Sequence, residues 1–254
     1  MLEAHLLAYF GHNDASIRHY TNSQLLTVFT VLLSTPTIYH SSPPRFNIST
    51  MASFEQIHSQ LIAYPPPLLP PGTALVPTLK AHITSLSLHP TLEVALHILN
   101  QDLPSAHFLV RHMQSAPAFE GMFLHGMLHR IEGDFDNARA WYSDVKESGV
   151  YKEVWGEKEM GWKKWKEEGK KGELDAGQKF LDCVQRCKES GGKFQREKLE
   201  GESRREIETT IKWCKQKFGT EMVADASEAW VKPSDEIKQM GQEQVSGTAG
   251  RRKF

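Results

Sequence analysis

The feature that most constrains this chain is an internal repeat at an offset of 32 residues. When residues 91–113 are laid over 123–145, Leu92 falls on Leu124, Leu96 on Leu128, His97 on His129, Asp102 on Asp134 and Ala106 on Ala138. A unit of this length is a helical hairpin. It cannot bury its apolar side alone and therefore stacks on a neighbour. The expected fold is all-α: stacked antiparallel helical hairpins, about two of them over residues 87–149, followed by C-terminal helices.

The second unit shows how its residues specify a hairpin. Phe119, Met122, Phe123, Met127 and Ile131 follow the three-to-four spacing of one helix face, with small Gly126 among them. Gly133 suits the left-handed conformation that ends a helix. Asp134 is a good N-cap for the next helix, which carries Phe135, Ala138, Trp141, Tyr142 and Val145 and ends before Gly149. The short connection predicts antiparallel neighbours, and Gly126 and Ala138 would let the two backbones approach closely.

Gly126, Gly133, Phe135, Ala138 and Tyr142 together resemble the tetratricopeptide repeat: small residue, turn glycine, aromatic, alanine, aromatic. His129 stands where that repeat has an aromatic, and Val150 where it has proline. In the earlier copy Val94 takes the small position and Gln101 the turn-glycine position. The run from His125 through Arg130, Glu132 and Asp134 to Trp141 and Tyr142 is also similar to the signature of a widespread group of uncharacterised microbial proteins. That second resemblance spans residues 102–145 and implies no activity.

The remaining segments differ in character. Residues 1–50 contain only Glu3, Asp14, Arg18 and Arg45 as charged side chains, apart from histidines. Their apolar run, 25–33, is too short to span a bilayer. They are expected to be a disordered leader or an over-extended gene model, with Met51 a natural start. The competing expectation is secretion, with 25–33 as a signal core and Asn47 as a glycosylation acceptor. Residues 51–230 are expected to form a single helical domain and 231–254 a disordered tail. Within the domain, helices are expected around Phe54–Ile57–Leu61, over 76–86 with Leu79 and Ile83 inward, and over 151–166, 175–190, 202–218 and 223–230. Residues 64–72 are proline-rich and predict a stiff polyproline connector packed on the helical body.

Charge narrows the function classes. The net charge of −1 argues against a general nucleic-acid binder. Residues 1–150 hold seven Lys/Arg and eleven Asp/Glu, whereas 151–254 hold 23 and 20. All twelve histidines precede residue 130, and all three cysteines follow residue 182. Cys183, Cys187 and Cys214 lie on apolar helix stripes, as buried reduced thiols do. This points to the cytoplasm. No integral membrane segment is expected, and no phosphate loop, nucleophile elbow or zinc-finger spacing occurs.

One constellation carries chemistry. His125 and His129 are four apart, so both rings project from one face of a helix, and Glu132 follows three residues on. This is the spacing by which a helix offers two imidazoles to a metal. It lacks the glutamate after the first histidine that zinc proteases use, since Gly126 stands there. Further ligands would have to come from His97, His107, His112 or Asp134. The plainer expectation is that the histidines pack between helices against Glu132, Asp134 or backbone, with Arg130 paired to Asp134 or Glu132. Trp141 and Tyr142 are expected to divide, one in the core and one lining a groove. The functional cluster to examine is therefore His97, His125, His129, Glu132, Asp134, Trp141 and Tyr142. The favoured reading is a non-enzymatic helical-repeat protein that binds a protein partner and needs no cofactor. The alternative is a metal-dependent or acid–base enzyme built on the His/Glu cluster.

Overall fold

The structure, a computed structural model, describes residues 53–156 and 174–231. Nine α-helices follow one another in these residues, without strands: α1 (Phe54–Leu61), α2 (Leu79–Ser85), α3 (Pro90–Leu99), α4 (Leu103–Val110), α5 (Phe119–Glu132), α6 (Phe135–Val145), α7 (Gly149–Trp155), α8 (Ala176–Glu189) and α9 (Arg196–Phe218). The fold is all-α with packed helical hairpins, as the periodicity predicts. Helix α3 folds back on α4 and α5 on α6, while α4 and α3 both pack on α5.

The two hairpins turn in the same way. Gly133 takes a left-handed φ of +80° after α5, and Gln101 takes +57° after α3. The Asp134 N–H then donates to the His129 carbonyl at 2.9 Å, and the Asp102 N–H donates to the His97 carbonyl at 2.9 Å. These bonds satisfy carbonyls that a helix end leaves without partners. The caps differ. Asp102 accepts the Ser105 N–H at 3.3 Å. The Asp134 side chain makes no such bond to the α6 backbone and accepts from the Asn137 amide instead.

Gly126 explains the tight seating of α5 on α6. A Cβ there would stand 2.8 Å from the Tyr142 ring and 2.9 Å from Trp141 Cβ. Real side chains do not approach that closely, so a larger residue would push the hairpin open.

Helix α9 is the longest element at 23 residues. It packs on α3, α7 and α8, and its Glu206 and Ser203 reach Arg130 of α5. It thereby covers the side of the stack formed by the first helix of each hairpin. The proline-rich connector lies along it: Arg204 donates to the carbonyls of Ile62 (2.9 Å) and Tyr64 (2.6 Å), and Ser203 donates to that of Pro67 (2.8 Å). A proline-rich extended segment offers its carbonyls few N–H partners of its own, so these donors anchor the connector and the residues that lead into it.

Several expected boundaries shift. Helix α9 begins at Arg196, earlier than the apolar stripe implies, and α2 begins at Leu79. The helix expected over 223–230 is absent; only Ser227–Ala229 forms a 3-10 turn. The flanking backbone is held by other strands of chain, with Val223 N–H donating to Ser87 O at 2.8 Å and Val231 N–H to His112 O at 3.0 Å. The expectations for 1–50, for the 157–166 part of the helix expected over 151–166, and for 232–254 lie outside the described residues. Among the described residues, no helix is long and apolar enough to cross a membrane.

Candidate functional site

The site begins with the four-residue spacing on α5. It stacks the His125 and His129 rings with centroids 4.8 Å apart and planes 16° from parallel. Helix α4 packs against α5 and supplies His107, whose ring meets His125 at 5.1 Å and His129 at 5.2 Å, edge to face in both cases. One potential ligand nitrogen from each ring falls within 4.8 Å of the other two. His125 is buried, while His107 and His129 keep a little solvent contact at the rim.

Carboxylates stand behind two of the rings. Glu132 Oε1 lies 3.0 Å from His107 Nδ1. Glu132 Oε2 and Asp134 Oδ2 lie 3.8 and 3.6 Å from His129 Nδ1. Trp141 closes the far side of His125, its ring stacked at 4.6 Å and 24°. Burial, reinforced by the neighbouring His107, lowers the His129 pKa despite Asp134 and Glu132. His129 is thus favoured as a neutral imidazole, the form that accepts a proton or binds a metal.

His97 does not join this cluster. It is buried in the first hairpin, with Nδ1 3.3 Å from Asp102 Oδ2 and Nε2 3.7 Å from Glu93 Oε1. The His97–Asp102 contact reproduces, 32 residues earlier, the approach of Asp134 to His129. The two histidines, 32 residues apart, therefore each approach an acid at the turn of their own hairpin rather than each other.

Trp141 and Tyr142 do not divide between core and groove. Both are buried, because α8 packs on α6 and α9 closes the core beyond it. Tyr142 donates to Glu206 Oε1 at 2.5 Å, and Trp155 Nε1 donates to the same oxygen at 3.2 Å. Arg130 also departs from expectation. It pairs with neither Asp134 nor Glu132 but crosses the core to Glu206 Oε2 at 2.8 Å and Ser203 Oγ at 3.1 Å, with its guanidinium 5.1 Å from the Phe180 ring centroid. Burial opposes its charge, yet Glu206 and Tyr142 outweigh that and raise its pKa. The signal for this network was in the sequence: Ser203, Glu206 and Thr210 occupy the buried register of α9 that Leu199, Ile207 and Ile211 share. Polar residues in an apolar stripe call for buried partners.

The cysteines are buried and unpaired, as expected. Among the described residues the group of three or more potential metal-ligating side chains that converges is the histidine trio, without any cysteine. A shallow concavity between α1 and α9, lined by His58, Glu208, Lys212 and Lys215, mixes both charges and brings no such set together. Compared with known protein families, curated proteins and solved structures, the chain matches none.

Proposed function

We propose that this is a non-enzymatic helical-repeat protein, tetratricopeptide-like in its two hairpins, that binds a protein partner. The carrying observation is an aromatic ridge along α4. Phe108 is 65% exposed although it is a large hydrophobe, and Trp230 is 36% exposed. His112 bridges them, its ring 5.5 Å from Phe108 and 5.3 Å from Trp230. Exposed aromatic groups on a rigid support are the chemistry of protein interfaces, where such anchors carry much of the binding energy.

The side formed by α3, α5 and α7, where a tetratricopeptide-like groove would lie, is already covered by α9. That favours the outer flank on α4 as the contact face. Three buried thiols without disulfides favour a reducing compartment, the cytoplasm. The test is affinity capture from cells that express the full chain, with Phe108→Ser and Trp230→Ser variants in parallel. Proteins retained by the wild type and lost from both folded variants support the reading; identical retention by all three overturns it.

A second reading has its own observation. The convergence of His107, His125, His129 and Glu132 at a partly solvated rim supports a metal-dependent or acid–base enzyme. Glu132 and His107, 3.0 Å apart, are placed to pass a proton directly between them. Turnover abolished by Glu132→Gln in a hydrolase or isomerase screen is its test.

A further inference from the structure

We propose that His107, His125 and His129 form a binding site for one divalent transition-metal ion, Zn²⁺ being the best fit, and that the ion joins the two hairpins. The donor set carries the choice of metal. Three imidazoles without thiolates suit a borderline ion such as Zn²⁺ rather than Mg²⁺ or Ca²⁺, which take oxygen ligands. The site takes His107 from α4 and the other two ligands from α5, so it draws on both hairpins.

The second observation is the placement of the acids. Glu132 faces Nδ1 of His107, and Glu132 with Asp134 faces Nδ1 of His129. A carboxylate at hydrogen-bond distance from Nδ1 favours the tautomer with Nε2 free to ligate. Glu132 stands at that distance from His107, whereas the acids near His129, at 3.6 and 3.8 Å, act on it only through their charge. The two acids also offset the charge of a dication. A tetrahedral Zn²⁺ with bonds of about 2.0–2.1 Å needs nitrogens roughly 3.3 Å apart. Closing the 4.8 Å limit seen here to that distance requires His107 and His129, the two rim residues, to rotate, with His129 leaving its near-parallel stack on His125. Stacking of Trp141 holds His125 in place. Three protein ligands leave the fourth position to water or an incoming group.

The experiment uses the full chain stripped with a chelator and titrated with zinc chloride by calorimetry. The expected result is about one equivalent bound, with a thermal midpoint that rises with free zinc. Co²⁺ in its place should give the intense visible absorption of a tetrahedral ion. His107→Ala, at the rim and least able to disturb the core, should weaken binding at least tenfold while its circular dichroism stays unchanged. Glu132→Gln, a positioning residue, should weaken it about tenfold. His112→Ala, outside the trio, should bind as the wild type does. Substoichiometric zinc, or equal affinity in folded His107→Ala, overturns the proposal, as does loss of binding in His112→Ala.

Discussion

Arg130 Nη2 stands 2.8 Å from Glu206 Oε2, and neither side chain touches solvent, although 76 residues separate them. Removing two charges from water costs several kcal/mol per ion. The pair offsets part of this through Ser203, which accepts a second bond from Nη2, and through Tyr142 and Trp155, which both donate to Glu206 Oε1, while Arg130 Nε and Nη1 have no hydrogen-bond partner among the described residues. Breaking one side leaves the other charge stranded. Glu206→Leu and Arg130→Met should each lower stability by about 3–5 kcal/mol. The double variant should lose far less than the sum. Urea unfolding of the four proteins forms the double-mutant cycle that reads this coupling.

The two hairpin turns make opposite predictions from one geometry. Gly133 holds φ +80°, so Gly133→Ala should cost about 1 kcal/mol. Gln101 holds φ +57° with a side chain present. Gln101→Gly relieves that conformation and should stabilise by about 0.5–1 kcal/mol. Thermal midpoints of the two variants should fall on either side of the wild type.

His89 predicts an acid-sensitive helix start. It is the N-cap of α3, with Nδ1 accepting the Thr91 N–H and its ring stacked on Phe218 at 3.7 Å. Burial lowers its pKa from 6.5 to about 4, with Lys217 adding to this and Glu120 opposing it. As pH falls, the unfolded chain takes up this proton first, so the contribution is complete above pH 6.5 and is lost down to about pH 4. Because the ring is only half-buried, screening limits the loss to about 1–2 kcal/mol. His89→Asn keeps a capping acceptor without the titration. The difference in unfolding free energy between wild type and variant should change across this window and be flat above it.

The thiols should be inert in the native state. Burial pushes Cys183 and Cys214 up to about 12 and raises Cys187 as well. Thiolate, not thiol, is the nucleophile. Iodoacetamide at pH 8 should therefore leave the native protein unlabelled and modify all three cysteines in denaturant, as counted by intact mass.

Much of the local architecture was legible in single positions. Gly133 marked its turn, and Phe54, Ile57 and Leu61 their buried face, whereas Asp134 takes the N-cap position without a side-chain bond to the backbone of α6. What stayed hidden depends on elements distant in sequence. His125 and His129 were visible as a pair because four residues make one turn, whereas His107 joins them only through the packing of α4 on α5. It could be named only as one of several further ligands. His97 shared the repeat position of His129 yet lies apart, because equivalence in a repeat places residues at matching turns rather than at one point. Arg130 was misread because Asp134 and Glu132 are its sequence neighbours, while its true counter-charge lies on α9. The apolar stripe located α9 from 202 onward but not residues 196–201, where Leu199 is the one buried side chain and the polar neighbours hold a helical shape through continuation.

The position of α9 has a consequence for biosynthesis. Arg130 leaves the ribosome well before Glu206, and the Tyr142 hydroxyl likewise precedes its acceptor. Until α9 is made, Arg130 lacks its counter-charge and the apolar side that α9 covers has no partner. A product ending upstream of residue 206 is thus not a smaller version of this protein but an adhesive fragment of it, with the kind of surface that chaperones and proteases sort by. Closure of this core therefore waits on the synthesis of α9.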